Sequence, residues 1–170
     1  MAKRKASRPY MPGYGIADAK GGKGLLPWRW AQERLEKGRT YFIATADPTG
    51  KPHVMPVWGV WFNDSFFFST GNKSRKGRNL STNARCSVAL EFDSGRRLKK
   101  GQVKDAVVFE GIADPVTDSR TRKKFSAIYE HKYAWDMESF DEPVYRVRPQ
   151  VVFGLTSNMT ETATRWRFEE

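Results

Sequence analysis

Residues 66–80 run FFFSTGNKSRKGRNL, an aromatic β-prone stretch, then a glycine-containing turn, then Ser74, Arg75 and Lys76. Ser74 is a helix-capping residue type, and a helix starting there presents unpaired backbone N–H groups and a partial positive charge. Such an end favours phosphate. Arg75 adds a two-pronged donor and Lys76 a point charge. Ser69 and Thr70 precede the turn, where their hydroxyls can reach the polar edge of a ring attached to that phosphate. An ordinary capped surface helix with solvated basic residues has the same spacing, so the pattern alone leaves both readings open.

Other residue types are less directive. His53 lies in an apolar run and titrates near neutrality, which suits a proton donor. No carboxylate partner is visible near it, and a packed or edge-exposed histidine fits equally. His131 falls at the end of an expected helix, where a cation complements the macrodipole. Cys86 is the only cysteine. It excludes an intramolecular disulfide and a multi-cysteine zinc site, is compatible with a reducing cytoplasm, and begins a strand as a small hydrophobe would. No His/Cys/Asp spacing suggests a metal centre, and no Gly-x-Ser-x-Gly elbow suggests a hydrolase. Trp58, Trp61 and residues 66–68 can stack on ligand rings, although most aromatics in such runs fill cores.

The elements that must position these groups follow from periodicity and turn chemistry. Residues 1–27 are rich in Gly, Pro and Lys and are expected to form a flexible basic arm carrying Lys3, Arg4, Lys5 and Arg8. Trp28, Ala31 and Leu35 make one helix face after Pro27, and Gly38 closes that helix. Residues 40–46 are β-prone, and Asp47-Pro48-Thr49-Gly50 is a turn. Residues 53–62 are nearly all apolar, which predicts one strand covered on both faces, as in a closed barrel or a subunit interface. Asn63-Asp64 turns the chain into a strand over residues 66–70. A helix follows from Ser74 to about Thr82, then strands over residues 86–92 and 107–113. A basic loop with Arg96, Arg97, Lys99 and Lys100 links these strands. Residues 118–132 are expected to be helical. Residues 144–155 form a last long strand in which Pro149 marks a bulge or an edge. Residues 164–168 form a short aromatic and basic tail. About six strands with hairpin connections favour an antiparallel barrel in a mainly β (α+β) domain, with no internal repeat and no second domain.

The chain has 170 residues and a formal net charge of +11, which points to an anionic partner without saying which one. A solvated basic surface accounts for the loop and arm cations equally well. No apolar stretch approaches the roughly 18–20 residues that span a bilayer, and the basic N-terminus has no apolar h-region. These features favour a soluble cytoplasmic protein without a membrane partner.

The run FFSTGNKSRKGRNL, with Gly50-Lys51-Pro52 opening the preceding strand, resembles the phosphate-binding signature of pyridoxamine 5′-phosphate oxidase. PHVMPVWGVW, SRKGRNL and TRWRF are similar to segments of the flavin and deazaflavin oxidoreductases of the same split-barrel fold. The likeness covers roughly residues 27–168. It implies an FMN-binding split β-barrel over residues 28–170 with short flanking helices, and FMN, or alternatively coenzyme F420, as cofactor. By this resemblance Arg75 and Lys76 bind the cofactor phosphate, supported by Ser74 and Asn79. Ser69 and Thr70 hydrogen-bond the ring or ribityl chain. Residues 54–58 line the isoalloxazine ring, with the backbone of Met55, Pro56 and Val57 packed on it. Trp166 and Arg167 close the pocket from the partner subunit of a homodimer. The pattern departs from the true oxidase where that enzyme carries cations for the vitamin phosphate, because Met55 and Val60 stand there. The expected activity is therefore hydride transfer between the cofactor and a small conjugated substrate, not oxidation of pyridoxamine phosphate. A barrel holding flavin or haem without turnover is the alternative. A single-stranded nucleic-acid binder ranks third, because the aromatics lie in core-like runs instead of alternating with lysines.

Overall fold

The computed structural model describes residues 3–18, 22–93, 95, 97–138 and 140–169. Helix α1 spans Trp28–Lys37 and buries Ala31 and Leu35, as its apolar face requires. Strands β2 (Tyr41–Ala46) and β3 (Pro52–Val57) pair antiparallel across the turn at Asp47, whose carboxylate accepts from the backbone N–H groups of Thr49 and Lys51, each at 3.0 Å. The chain then breaks at Trp58 and resumes as β4 (Gly59–Phe62), which pairs with β5 (Ser65–Ser69). Gly59 permits the break, because a Cβ there would strike the Phe66 ring and lie 2.7 Å from the carbonyl of Phe67. Asn63 and Asp64 both have positive φ, the geometry of a tight hairpin turn.

Helix α2 (Arg75–Thr82) leads to β6 (Arg85–Phe92) and β7 (Asp105–Pro115). Helix α3 (Ser119–Tyr133), capped by Asp118, leads to β8 (Val144–Leu155). The described strands, with β1 (Arg4–Ser7) and β9 (Thr164–Phe168) at one end, run β1-β9-β8-β7-β6-β2-β3, with β5 joining β4 to β8. Because β3 continues into β4, the circuit β2, β3/β4, β5, β8, β7, β6 closes into a barrel of antiparallel pairs. Strand β8 makes the split: one edge follows β7, while the other is shared by β5 (Val144 to Val147) and β9 (Val151 to Gly154). The register shifts where Glu110 faces Val151 and Gly111 faces Pro149, so Gln150 is the extra residue of a bulge next to the proline.

The nine-stranded count exceeds the sequence expectation for three reasons. Residues 53–62 are two strands, the tail is a strand, β9 (Thr164–Phe168), and part of the basic arm is a strand, β1 (Arg4–Ser7), paired along β9. The arm is therefore not uniformly flexible. Its Arg4 lies 4.5 Å over the Trp28 ring and 4.9 Å over that of Phe168. Arg8 donates to the carbonyls of Ala17 and Ala163, each at 2.9 Å. Between β8 and β9 a single turn, α4 (Met159–Thr162), reverses the chain.

The barrel core gathers Leu35, Ile43, Phe66, Phe68, Phe109 and Trp166 among others. Each large apolar side chain so buried contributes roughly 1.5–3 kcal/mol. A second cluster around Val60, Phe62, Phe67 and Phe125 packs α3 on the outside of β4 and β5. Strand β4 is thus covered on both faces as expected, whereas Val54 and Met55 of β3 are 59% and 43% exposed. Among the described residues no helix is long and apolar enough to cross a membrane.

Candidate functional site

Ser74 caps α2: its Oγ accepts from the Gly77 N–H at 3.0 Å, which leaves the first N–H groups of the helix without intrahelical partners. Thr70 Oγ1 lies 2.8 Å from Ser74 Oγ. Whichever hydroxyl donates across that contact, the other keeps a proton for a ligand. Ser69 donates to the Pro143 carbonyl at 2.8 Å, so its hydroxyl offers a ligand acceptor capacity only. Gly77 lets the turn close, because a Cβ there would clash with the Gly71 carbonyl and sit 3.1 Å from Asn72 Cα. Asn79 is buried and donates to Thr45 Oγ1 at 3.0 Å, tying α2 to β2. It thus positions the site from inside the protein.

Arg75 is exposed and Lys76 half-exposed, and neither takes part in an ion pair among the described residues. Their charge is felt on the β2–β3 hairpin. Desolvation, and then the Arg75 and Lys76 cations, hold His53 below the ordinary histidine range. The Asp47 carboxyl is lowered first by its Thr49 hydrogen bond and, among smaller contributions, by Arg75. The structure therefore brings Ser74, Arg75, Lys76, Asn79, Ser69 and Thr70 together at one end of the barrel, facing His53 and the exposed strand carrying Met55 and Pro56. Val57 points inward and is 7% exposed, leaving its backbone as its contribution to that surface. In a single chain this is an open face. The capped helix end, two uncommitted cations and a free hydroxyl proton are a donor set suited to a phosphate.

Two expected members lie on β9. Trp166 does not close a pocket: it is 2% exposed and meets Trp28 edge-on at 5.6 Å and 78°. Its partner in the ladder is the buried Val152, so strand alternation turns it inward. Arg167 is exposed on β9, where it faces Val151 and Lys5 in the ladders. Cys86 is buried with its thiol pushed up to about 12 by desolvation, which leaves it inert. Of the loop cations, Arg97, Lys99 and Lys100 are exposed, while Arg96 lies outside the described residues.

One cluster escaped sequence reasoning. Trp58, 47% exposed, stacks on Tyr133 at 5.1 Å and 6°, with Trp135 edge-on at 6.0 Å. Beneath it Lys132 Nζ donates to Tyr41 Oη at 3.0 Å and to the Gly59 carbonyl at 3.1 Å. Burial, and then Arg39, bring that ammonium down to about 8. The signal available was the aromatic spacing in residues 129–135, which helical periodicity absorbed.

A split barrel of antiparallel strands, with a capped basic helix end beside an open strand, defines the class of protein. The family model described as pyridoxamine 5′-phosphate oxidase matches residues 29–156, and the chain belongs to that family. A pyridoxine/pyridoxamine 5′-phosphate oxidase of Acidothermus cellulolyticus is 32% identical over 58% of this chain and 42% of its own length, so the match spans less than half of that relative. Among solved structures, the haem storage protein HutZ of Vibrio cholerae superposes with a TM-score of 0.61 at 22% identity, over 77% of this chain and 94% of that one. An F420 reductase superposes with a TM-score of 0.54 at 21% identity, over 71% and 94%.

Proposed function

We infer that this protein is an oxidoreductase that uses a phosphorylated flavin-type cofactor, FMN or alternatively coenzyme F420. The observation that carries this reading is the capped N-terminus of α2. There Arg75 and Lys76 carry no ion pair among the described residues, and their charge reaches His53 on β3. When bound, such a cofactor supplies hydride chemistry to a small conjugated substrate. The chain's own residues grip the phosphate through Arg75, Lys76 and the first N–H groups of α2. They place a hydroxyl proton from Thr70 or Ser74 nearby and lay the β3 backbone under the ring. The family's vitamin chemistry is not proposed. Val60 is 1% exposed within the core, Met55 is apolar, and neither replaces a phosphate-binding cation.

A homodimer completes the reading. Phe42, 46% exposed, stands opposite Pro56 in the β2–β3 ladder and shares its sheet face with Val54. A second copy of the chain, placed there in the cytoplasm, would enclose the ring and exclude water. Binding without turnover is the second reading. It is favoured by β3 offering no titratable side chain except His53, whose protonation is disfavoured. Titrating the apoprotein in parallel with FMN and with F420, following cofactor fluorescence, tests the function. Tight binding of one names the cofactor, and binding of neither by a folded protein overturns the reading. Light scattering at micromolar protein tests the dimer.

A further inference from the structure

The split of the barrel creates a second cavity far from α2. Residues Arg148, Pro149 and Gln150 of β8 are claimed by neither β5 nor β9, and the wall opens there into a cavity of about 930 Å³. That size lies within the range typical of small-molecule sites. Its mouth lies at the start of β5, whereas the α2 turn follows the end of β5, so the two sites occupy opposite ends of that strand.

The cavity has an apolar lining from Trp61, Phe62, Ile112, Pro149 and Phe168. Its acidic groups each have a partner. Asp64 forms an ion pair with Arg4, although neither Nε nor Nη2 of that guanidinium is aligned for a hydrogen bond. Glu36 accepts from Gln32 at 2.8 Å, and Glu169 lies 3.8 Å from Lys3. The Arg148 guanidinium is taken by Asp114 at 2.7 Å. Arg146 differs. Its Nε donates at 3.1 Å to the hydroxyl of Ser65, a residue 1% exposed, and no carboxylate pairs with it among the described residues. One edge of the guanidinium is thus fixed to the protein, and its remaining N–H groups are uncommitted.

We propose that this cavity is a binding site for a small organic carboxylate with a planar apolar body, distinct from the cofactor site. The carboxylate pairs with Arg146, and the body lies against Phe62, which shares the sheet face of Arg146 and Ser65. A singly charged acid fits better than a phosphate. One unmatched guanidinium neutralises one charge, and a dianion would leave the second beside Glu36, Asp64 and Glu169. The proposal does not depend on the identity of the cofactor.

Calorimetry with naphthalene-2-carboxylate and its neutral analogue 2-naphthylmethanol tests it. The carboxylate is expected to bind one per chain and at least tenfold more tightly than the alcohol. Arg146→Gln is expected to weaken the carboxylate at least tenfold without changing the alcohol, the melting temperature or cofactor affinity. The Arg75→Ala/Lys76→Ala protein should bind the carboxylate as the unmodified chain does, and saturating FMN should not displace it. Equal binding of acid and alcohol, unchanged binding by Arg146→Gln, or no saturable binding at millimolar probe overturns the proposal. Displacement by FMN overturns the distinctness of the site and assigns the cavity to the cofactor.

Discussion

Replacing Arg75 and Lys76 together by alanine is the most direct test of the phosphate site. Each cation offers a charge-assisted contact, and such hydrogen bonds contribute about 1.5–3 kcal/mol. Arg75 is exposed and Lys76 half-exposed, so the low end applies to both. The double substitution should then remove about 3 kcal/mol of binding energy, a loss of about 150-fold in affinity at 1.4 kcal/mol per decade. The N–H groups of the helix end and the hydroxyls of Thr70 and Ser74 remain, so weak binding should persist. Neither side chain is in an ion pair or a core cluster, and the folded state should be little affected. Fluorescence titration at fixed ionic strength measures the affinity, and thermal unfolding checks the fold. Affinity within threefold of the unmodified protein, with an unchanged melting temperature, would refute the assignment of the phosphate to α2.

Further expectations follow from the same geometry. Nuclear magnetic resonance of His53 should give a pKa below the usual 6.5 in the apoprotein. The folded state then disfavours the charged form, so stability falls as pH drops through 6.5 towards the lowered folded value. Bound phosphate should raise that pKa, and a value unmoved by cofactor would place the phosphate elsewhere. Lys132→Met should gain on the parent protein most near pH 7, where the parent holds a desolvated ammonium. The difference in melting temperature should shrink as pH rises from about 8 towards 10.5, and a pH-independent difference would contradict the lowered pKa. Leu35→Ala empties a fully buried position and should cost about 2–5 kcal/mol, read by denaturant unfolding. Gly77→Ala forces a methyl group against the Gly71 carbonyl and should lower cofactor affinity as well as stability by about 1–3 kcal/mol, and retention of both would show that the turn can relax.

The elements that carry local signals were legible in the sequence. Ser74 caps α2 as its residue type suggested, Asp47 organises the first hairpin, and Pro149 sits at a bulge. What failed depended on partners distant in the chain. The arm gives no local reason to be a strand; it becomes one because β9 presents a free edge that Arg4–Ser7 covers. Trp166 could be placed only once β9 was known to pair with β8, since the alternation of Thr164, Trp166 and Phe168 inward follows from register. At α2 the residue types were legible, but the commitment of Ser69 to Pro143 joins segments 74 residues apart, and no spacing announces it.

The apolar run at residues 53–62 shows why composition locates a buried strand without saying what buries it. Its second half is covered by the chain itself: Phe66 and Phe67 pair alongside, and α3 closes the outer face. Its first half has the same composition, yet Val54 and Met55 are exposed, Val54 on the sheet face that carries Phe42 and Met55 on the face of Ile43. Water is a poor environment for Phe42 and Val54 on one sheet face and for Met55 on the other, and exposed apolar side chains of this size call for a cover. A flat ring laid on the β3 backbone would cover part of this surface, and a second chain would cover more. Arg75, Lys76 and the lowered pKa of His53 say where the charged end of that ring belongs. If a cofactor and a second chain both pack against β3, one on each face, the strand links the two sites, and the affinities for cofactor and for a second subunit are expected to be coupled in both directions.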